Sequence, residues 1–191
     1  MNIHVSAFVV SPNGAGGTNL FASIPDSGVF LSTDNGTSWT AVNSGLTTTG
    51  VIVLAVSPNG AGGANLFAGT AGAVWLSSNN GTSWIRADTG GCPLIRSLIA
   101  SGTNLFAIAY PDYCPRCPKT PNDAFKFTLM SPAPNQENGW WRLYISTDSG
   151  RSWTAVTGLT SPIASLLAVS GTNLIAGTWS GVFLSSNNGT S

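Results

Sequence analysis

Four copies of one polar turn, each preceded by the same short apolar strand, restrict this chain more than any other feature. The complete copies are Ser32-Thr-Asp-Asn-Gly-Thr-Ser-Trp39, Ser77-Ser-Asn-Asn-Gly-Thr-Ser-Trp84 and Ser146-Thr-Asp-Ser-Gly-Arg-Ser-Trp153. A fourth, Ser185-Ser-Asn-Asn-Gly-Thr-Ser191, stops before its Trp. Upstream lie Asn19-Leu-Phe-Ala, Asn65-Leu-Phe-Ala, Asn104-Leu-Phe-Ala and Asn173-Leu-Ile-Ala. A fixed period of this kind marks a repeated supersecondary unit that buries its apolar surface only by stacking on its neighbours.

Each unit reads as four strands. The first is an apolar run, Val5–Val10, Val51–Val56, Ile95–Ala100 or Ile163–Val169, bounded by turn residues, as for a strand buried on both faces. The Asn-Leu-Phe-Ala strand follows, and then Gly28-Val-Phe-Leu, Ala73-Val-Trp-Leu or Gly181-Val-Phe-Leu. The octapeptide then delivers a Trp-led fourth strand such as Trp39-Thr-Ala-Val42. No stretch free of Gly and Pro carries a helical apolar period. A four-stranded unit repeating about every 40–45 residues predicts an all-β propeller blade, its first strand innermost. Blades are expected at about 1–48, 49–93, 94–161 and 162–191, the last incomplete.

The motif Ser-x-Asp-x-Gly-x-x-Trp resembles the Asp box, or BNR repeat, of sialidases, oligoxyloglucan-type glycosidases, the sortilin ectodomain and a photosystem II assembly factor. The resemblance covers nearly the whole chain except residues 111–139. It implies a β-propeller and is nearly silent about function.

In such a turn the third residue accepts backbone N–H bonds, as in an Asx-turn, and the glycine supplies a left-handed conformation. Asp34, Gly36 and Trp39, Asn79, Gly81 and Trp84, and Asp148, Gly150 and Trp153 are assigned these roles, with Asn188 and Gly189 in the fourth copy. The three indoles are expected between adjacent sheets. Asn is a poor cation ligand, so its presence at the acidic position favours a structural corner over calcium. Asn35, Asn80 and Asn188 form Asn-x-Thr sequons, which the repeat itself generates.

Successive antiparallel strands put the octapeptides on one face of the disc and the turns after the second and fourth strands on the other. The resemblance implies that sialidase-like enzymes carry their active site on that second face. There, the segment from the repeat Asn to the octapeptide Ser runs 13 or 14 residues in three units but 43, Asn104 to Ser146, in the third. The insertion, 111–139, holds six of the eleven prolines, both lysines and the only glutamate. Long loops on repeat scaffolds commonly carry binding. Tyr110, Asp112, Tyr113, Glu137, Trp140, Trp141 and Trp179 are therefore the candidate binding surface.

Cys114 and Cys117 form a single knuckle, short of the four ligands of a structural zinc site, so a disulfide involving Cys92, Cys114 and Cys117 is the favoured reading and no metal is expected. A glycosidase needs two carboxylates facing each other across a cleft. Asp34 and Asp148 lie on the wrong face for this, which leaves Asp26, Asp112, Asp123 and Glu137. No arginine pattern and no Ser-His-Asp set supports catalysis, and no cofactor is implied.

Seven basic and seven acidic residues cancel, which disfavours nucleic acid and anionic lipid. Charged residues are only 7% of the chain, against roughly a quarter in ordinary soluble domains. No apolar run approaches the ~18 residues of a membrane helix. The chain opens directly into a strand-like run, so either a leader was removed or the sequence begins inside a longer protein. The expectation is a non-catalytic, extracellular or cell-surface propeller that serves as an interaction or structural module, with protein or glycan as its partner on the face carrying the 111–139 insertion. The alternatives are a glycan-binding or sialidase-like propeller fragment, and a self-assembling subunit joined through the open edge near Phe183–Ser191.

Overall fold

A computed structural model describes residues 4–59, 62–87, 94–110, 141–156, 163–187 and 189, with 127–128 and 163–166 traced as backbone only. It is all-β among the described residues. The first sheet runs β1 (Ala7–Pro12), β2 (Thr18–Ile24), β3 (Gly28–Ser32), β4 (Thr40–Ala41) in spatial order. The second runs β5 (Val51–Pro58), β6 (Ala64–Thr70), β7 (Val74–Ser77), β8 (Ile85–Arg86). The third contains β9 (Leu94–Ser101), β10 (Asn104–Tyr110), β12 (Arg142–Ser146) and β13 (Trp153–Ala155), with β11 (Phe127–Thr128) added parallel to the outer edge of β13. The fourth has three strands, β14 (Ile163–Ser170), β15 (Asn173–Thr178) and β16 (Gly181–Ser185).

The registers repeat as the sequence does. Leu20 opposes Ser32, Leu66 opposes Ser77, Leu105 opposes Ser146 and Leu174 opposes Ser185. A one-residue slip would invert every side chain of a strand, so equal registers give four sheets with the same two faces.

Three apolar clusters each join consecutive sheets. Phe21 and Val29 of the first sheet meet Leu54, Leu66, Trp75 and Trp84 of the second. Phe67 and Val74 of the second meet Leu98, Leu105, Tyr144 and Trp153 of the third. Phe106, Ile108 and Leu143 of the third meet Leu174 of the fourth. Contact between neighbouring sheets is concentrated on their first strands, β1 on β5, β5 on β9 and β9 on β14. The sheets therefore fan from an inner edge as propeller blades. No comparable packing joins β14 back to β1 among the described residues.

Two local expectations change. The fourth strands are only two or three residues long, and β4 and β8 begin after the Trp instead of with it. The first strands are not uniformly buried: β5 is largely covered, but β1 alternates, with Phe8 and Val10 about half exposed. Among the described residues no blade packs on the far side of β1.

Candidate functional site

The octapeptide corners close around their opening serine, which is buried in the first three. In the third corner Gly150 N donates to Ser146 Oγ (2.8 Å), and that hydroxyl donates to Asp148 Oδ1 (2.8 Å). Asp148 also accepts from Ser152 N at Oδ1 (2.8 Å) and from Ser152 Oγ at Oδ2 (2.5 Å). The first corner repeats this with Ser32, Asp34, Gly36 and Ser38. In the second, Asn79 accepts from Ser77 Oγ and Ser83 N, and its Nδ2 donates to Ser83 Oγ (2.8 Å) where a carboxylate would accept. An amide thus replaces the acid with one reversed hydrogen bond.

In the fourth corner Ser185 Oγ donates to Asn187 Oδ1 (2.8 Å) and accepts from Gly189 N (2.9 Å). The third-position side chain is therefore Asn187. Asn188, to which the sequence assigned that role, is one place too late and lies outside the described residues.

The first three corners each turn on two consecutive left-handed residues, such as Asn35 (φ 56°) and Gly36 (φ 88°), or Ser149 (φ 60°) and Gly150 (φ 84°). Asn tolerates that conformation better than most residues, so the Asn-Gly pair was the available signal for the first of the two. The role of the opening serine was missed as well, although Ser opens all four copies while the acid occupies its position in only two.

Hydrogen bonds from the Ser38 hydroxyl and amide and from Ser32 hold Asp34 down at about 2, against 3.8 ordinarily. For Asp148, partial burial pushes upward, but the hydrogen bonds from Ser152 and Ser146 outweigh it and leave the carboxyl below its ordinary value. Both carboxylates are engaged by their own corners.

The indoles divide by position. Trp84 and Trp153 are buried in the clusters that join their blades to the preceding ones, whereas Trp39 is 39% exposed. Trp84 also ties two blades together, donating from Nε1 to Val42 O (2.7 Å) and from its amide to Ser44 O (2.9 Å).

On the opposite face, Tyr110 meets Trp141 edge to face at 6.1 Å between ring centres, and the Arg96 guanidinium lies over the Trp141 ring at 5.9 Å. Arg96 is the extra residue of a β-bulge: Ile108 pairs with Ser97 and Ala109 with Ile95, leaving it without a partner strand residue. Bulges of this kind re-aim a side chain, and nothing in the sequence pattern marked Arg96. The inner side of Trp141 packs against the cluster of Phe106, Ile108 and Leu143. Trp179, at the tip of the β15–β16 turn on the same face, is 78% exposed. Asp112, Tyr113, Glu137, Trp140, Cys92, Cys114 and Cys117 lie outside the described residues. Asp26, at positive φ in the β2–β3 turn, is the described carboxylate on this face.

No protein-family model and no curated protein sequence matches the chain. Solved structures do resemble it. A GH74 xyloglucanase from Xanthomonas campestris aligns with a TM-score of 0.62 at 16% identity, over 97% of this chain and 28% of that one. A GH74 enzyme from Niastella koreensis aligns with a TM-score of 0.63 at 18% identity, over 97% and 29%. The computationally designed Ika4 protein aligns with a TM-score of 0.58 at 11% identity, over 98% of this chain and 93% of that one. The chain spans less than a third of the length of either GH74 enzyme, and at such identities the likeness is one of architecture. That architecture is the β-propeller.

Proposed function

We propose that the chain is a non-catalytic, extracytoplasmic propeller module of the Asp-box type, with blades at about 1–48, 49–93, 94–161 and 162–191. It binds glycan through the face opposite its corners. The observation that carries this reading is Trp179, a nearly bare indole on that face. The corresponding turns of the first two blades carry Pro25 and Ala71 instead. An exposed aromatic plane on a rigid turn suits the apolar C–H face of a sugar ring, and the Arg96–Trp141–Tyr110 group on the same face offers hydroxyl-binding donors beside it. The turn of β15–β16 is stiffened by Thr178 Oγ1 donating to Gly181 O (2.8 Å). The chain's low charge fits binding through amides, hydroxyls and aromatics.

Hydrolysis is the second reading, favoured by the likeness to a xyloglucanase. Against it, Asp34 and Asp148 sit in the corners, on the other face, with their oxygens engaged. Titration of the chain with xyloglucan oligosaccharides, followed by indole fluorescence and calorimetry, tests both readings. Binding that falls at least tenfold in Trp179→Ala, without release of reducing ends, is the expected result. Absence of binding refutes the glycan reading, and turnover abolished by Asp112→Asn or Glu137→Gln would replace it with an enzyme.

A further inference from the structure

We infer that the glycan taken by the face opposite the corners is an acidic one, and that Arg96 receives the carboxylate of a uronic acid. The inference rests on the glycan reading and names its ligand class.

The repeat supplies the comparison. A bulge interrupts the inner strand at the same place in three blades. In blade 2 the extra residue is Ile52, because Val51 opposes Thr70 and Val53 opposes Gly69. In blade 4 Ala164 and Ser165 are extra, because Ile163 opposes Thr178 and Leu166 opposes Gly177. Blade 3 puts Arg96 there. Trp141 precedes β12 at the place that holds Ser27, Gly72 and Ser180 in the other blades. Tyr110 ends β10 where the first two blades have Pro25 and Ala71 and the fourth has Trp179. Bulge and turn thus form elsewhere with aliphatic or small residues, and blade construction calls for neither the guanidinium nor the Trp141 ring. The departures in blade 3 also meet one another, Arg96 over Trp141 at 5.9 Å and Trp141 against Tyr110 at 6.1 Å.

Arg96 is exposed. The described carboxylates are Asp26 in blade 1 and Asp34 and Asp148 in the corners of the other face, so none of them stands at this guanidinium. Held over an indole, the guanidinium loses less freedom when it binds, and its planar fork of N–H donors matches the two oxygens of a carboxylate. A neutral sugar stacked on these rings would desolvate that charge without answering it, which is costly. A uronate supplies both the C–H face and the counter-charge. With seven basic and seven acidic residues the chain has no net field to attract anions, so selectivity for an acidic sugar has to come from a placed group of this kind.

Calorimetry of the whole chain tests this with trigalacturonate and with the same trisaccharide after reduction of its carboxyl groups to neutral galactose. Wild type should bind the acidic form at least about tenfold more tightly. Arg96→Gln, with an unchanged far-ultraviolet spectrum, should bring the two affinities together. Equal binding of both forms by wild type, or a preference undiminished in Arg96→Gln, overturns the inference and leaves the glycan reading standing. The same holds if neither trisaccharide binds while xyloglucan oligosaccharides do. Failure of all three ligands removes the glycan reading as well.

Discussion

The corner geometry predicts that the serine, not the acid, holds the turn. In Ser146→Ala the amide of Gly150, a buried residue, loses its acceptor. A buried donor left unmet costs roughly 1–3 kcal/mol. The bond from Ser146 Oγ to Asp148 disappears as well, but Asp148 is only half-buried, so solvent reduces that loss to roughly 0.5–1 kcal/mol. Together these give about 1.5–4 kcal/mol. Asp148→Asn is a different change. Asn79 already shows the amide in this place, accepting at Oδ1 from Ser77 and Ser83 and donating from Nδ2 to Ser83 Oγ. Ser152 can reorient its hydroxyl in the same way, so the substitution forfeits only the charge-assisted part of two or three bonds, under about 1 kcal/mol. Urea unfolding followed by indole fluorescence reads the difference. With a slope of about 2 kcal/mol per molar urea, the midpoint should fall by about 0.75–2 M for Ser146→Ala and by less than about 0.5 M for Asp148→Asn. Equal shifts, or the reverse order, would refute the assignment of the hydroxyl as the keystone.

Two further outcomes follow from the same coordinates. Asp34, with a folded-state value near 2, and Asp148, also lowered, stabilise the fold fully above the ordinary carboxylate value and lose that contribution as pH falls from about 4 towards 2. Urea midpoints at pH 6 and pH 2.5 should converge in the Asp34→Asn/Asp148→Asn double variant relative to wild type; an undiminished acid loss in that variant would place the titration elsewhere. At Gly69 an added Cβ would lie 2.6 Å from Ile95 Cγ2 and 2.7 Å from Val53 Cγ2, inside the contact between blades 2 and 3. Gly69→Ala should therefore cost roughly 1–3 kcal/mol by overpacking, read as a lower melting temperature, and a neutral substitution would show that the blades can separate there at no expense.

How much was legible in the sequence depended on the range of the cause. Strand identity, order and the corner glycines are set by residues a few places apart, and the repeat exposed them four times over. The exposure of Trp39 depends on packing between blades, so its sequence context, the same as that of buried Trp84 and Trp153, carries no sign of it. The Arg96 bulge arises from one extra residue in β9 relative to β10, a mismatch visible only once the strands are paired. The parallel edge strand Phe127–Thr128 lies within an insertion that was read only as a loop. The third position of the fourth copy is Asn187, as Asn79 is of the identical second copy, and the hydrogen bond from Ser185 marks it.

The repeat also works as an internal control on where function lies. Wherever all four units carry the same residue in the same geometry, as with the first Ser and the Gly of the corner, the blade's own construction is a sufficient cause, and no ligand needs to be invoked. The corner acid can be replaced by Asn79 or Asn187 with the turn intact, so a charge at that face has no constant role either. Departures from repetition call for another explanation, and those identified in the structure gather at the opposite face. There the β2–β3 turn has Asp26 at positive φ, the third blade carries some thirty extra residues between Tyr110 and Trp141, and the fourth presents Trp179 to solvent. Symmetry held by packing on one side and abandoned on the other is what a scaffold does when only one of its faces is free to become specific.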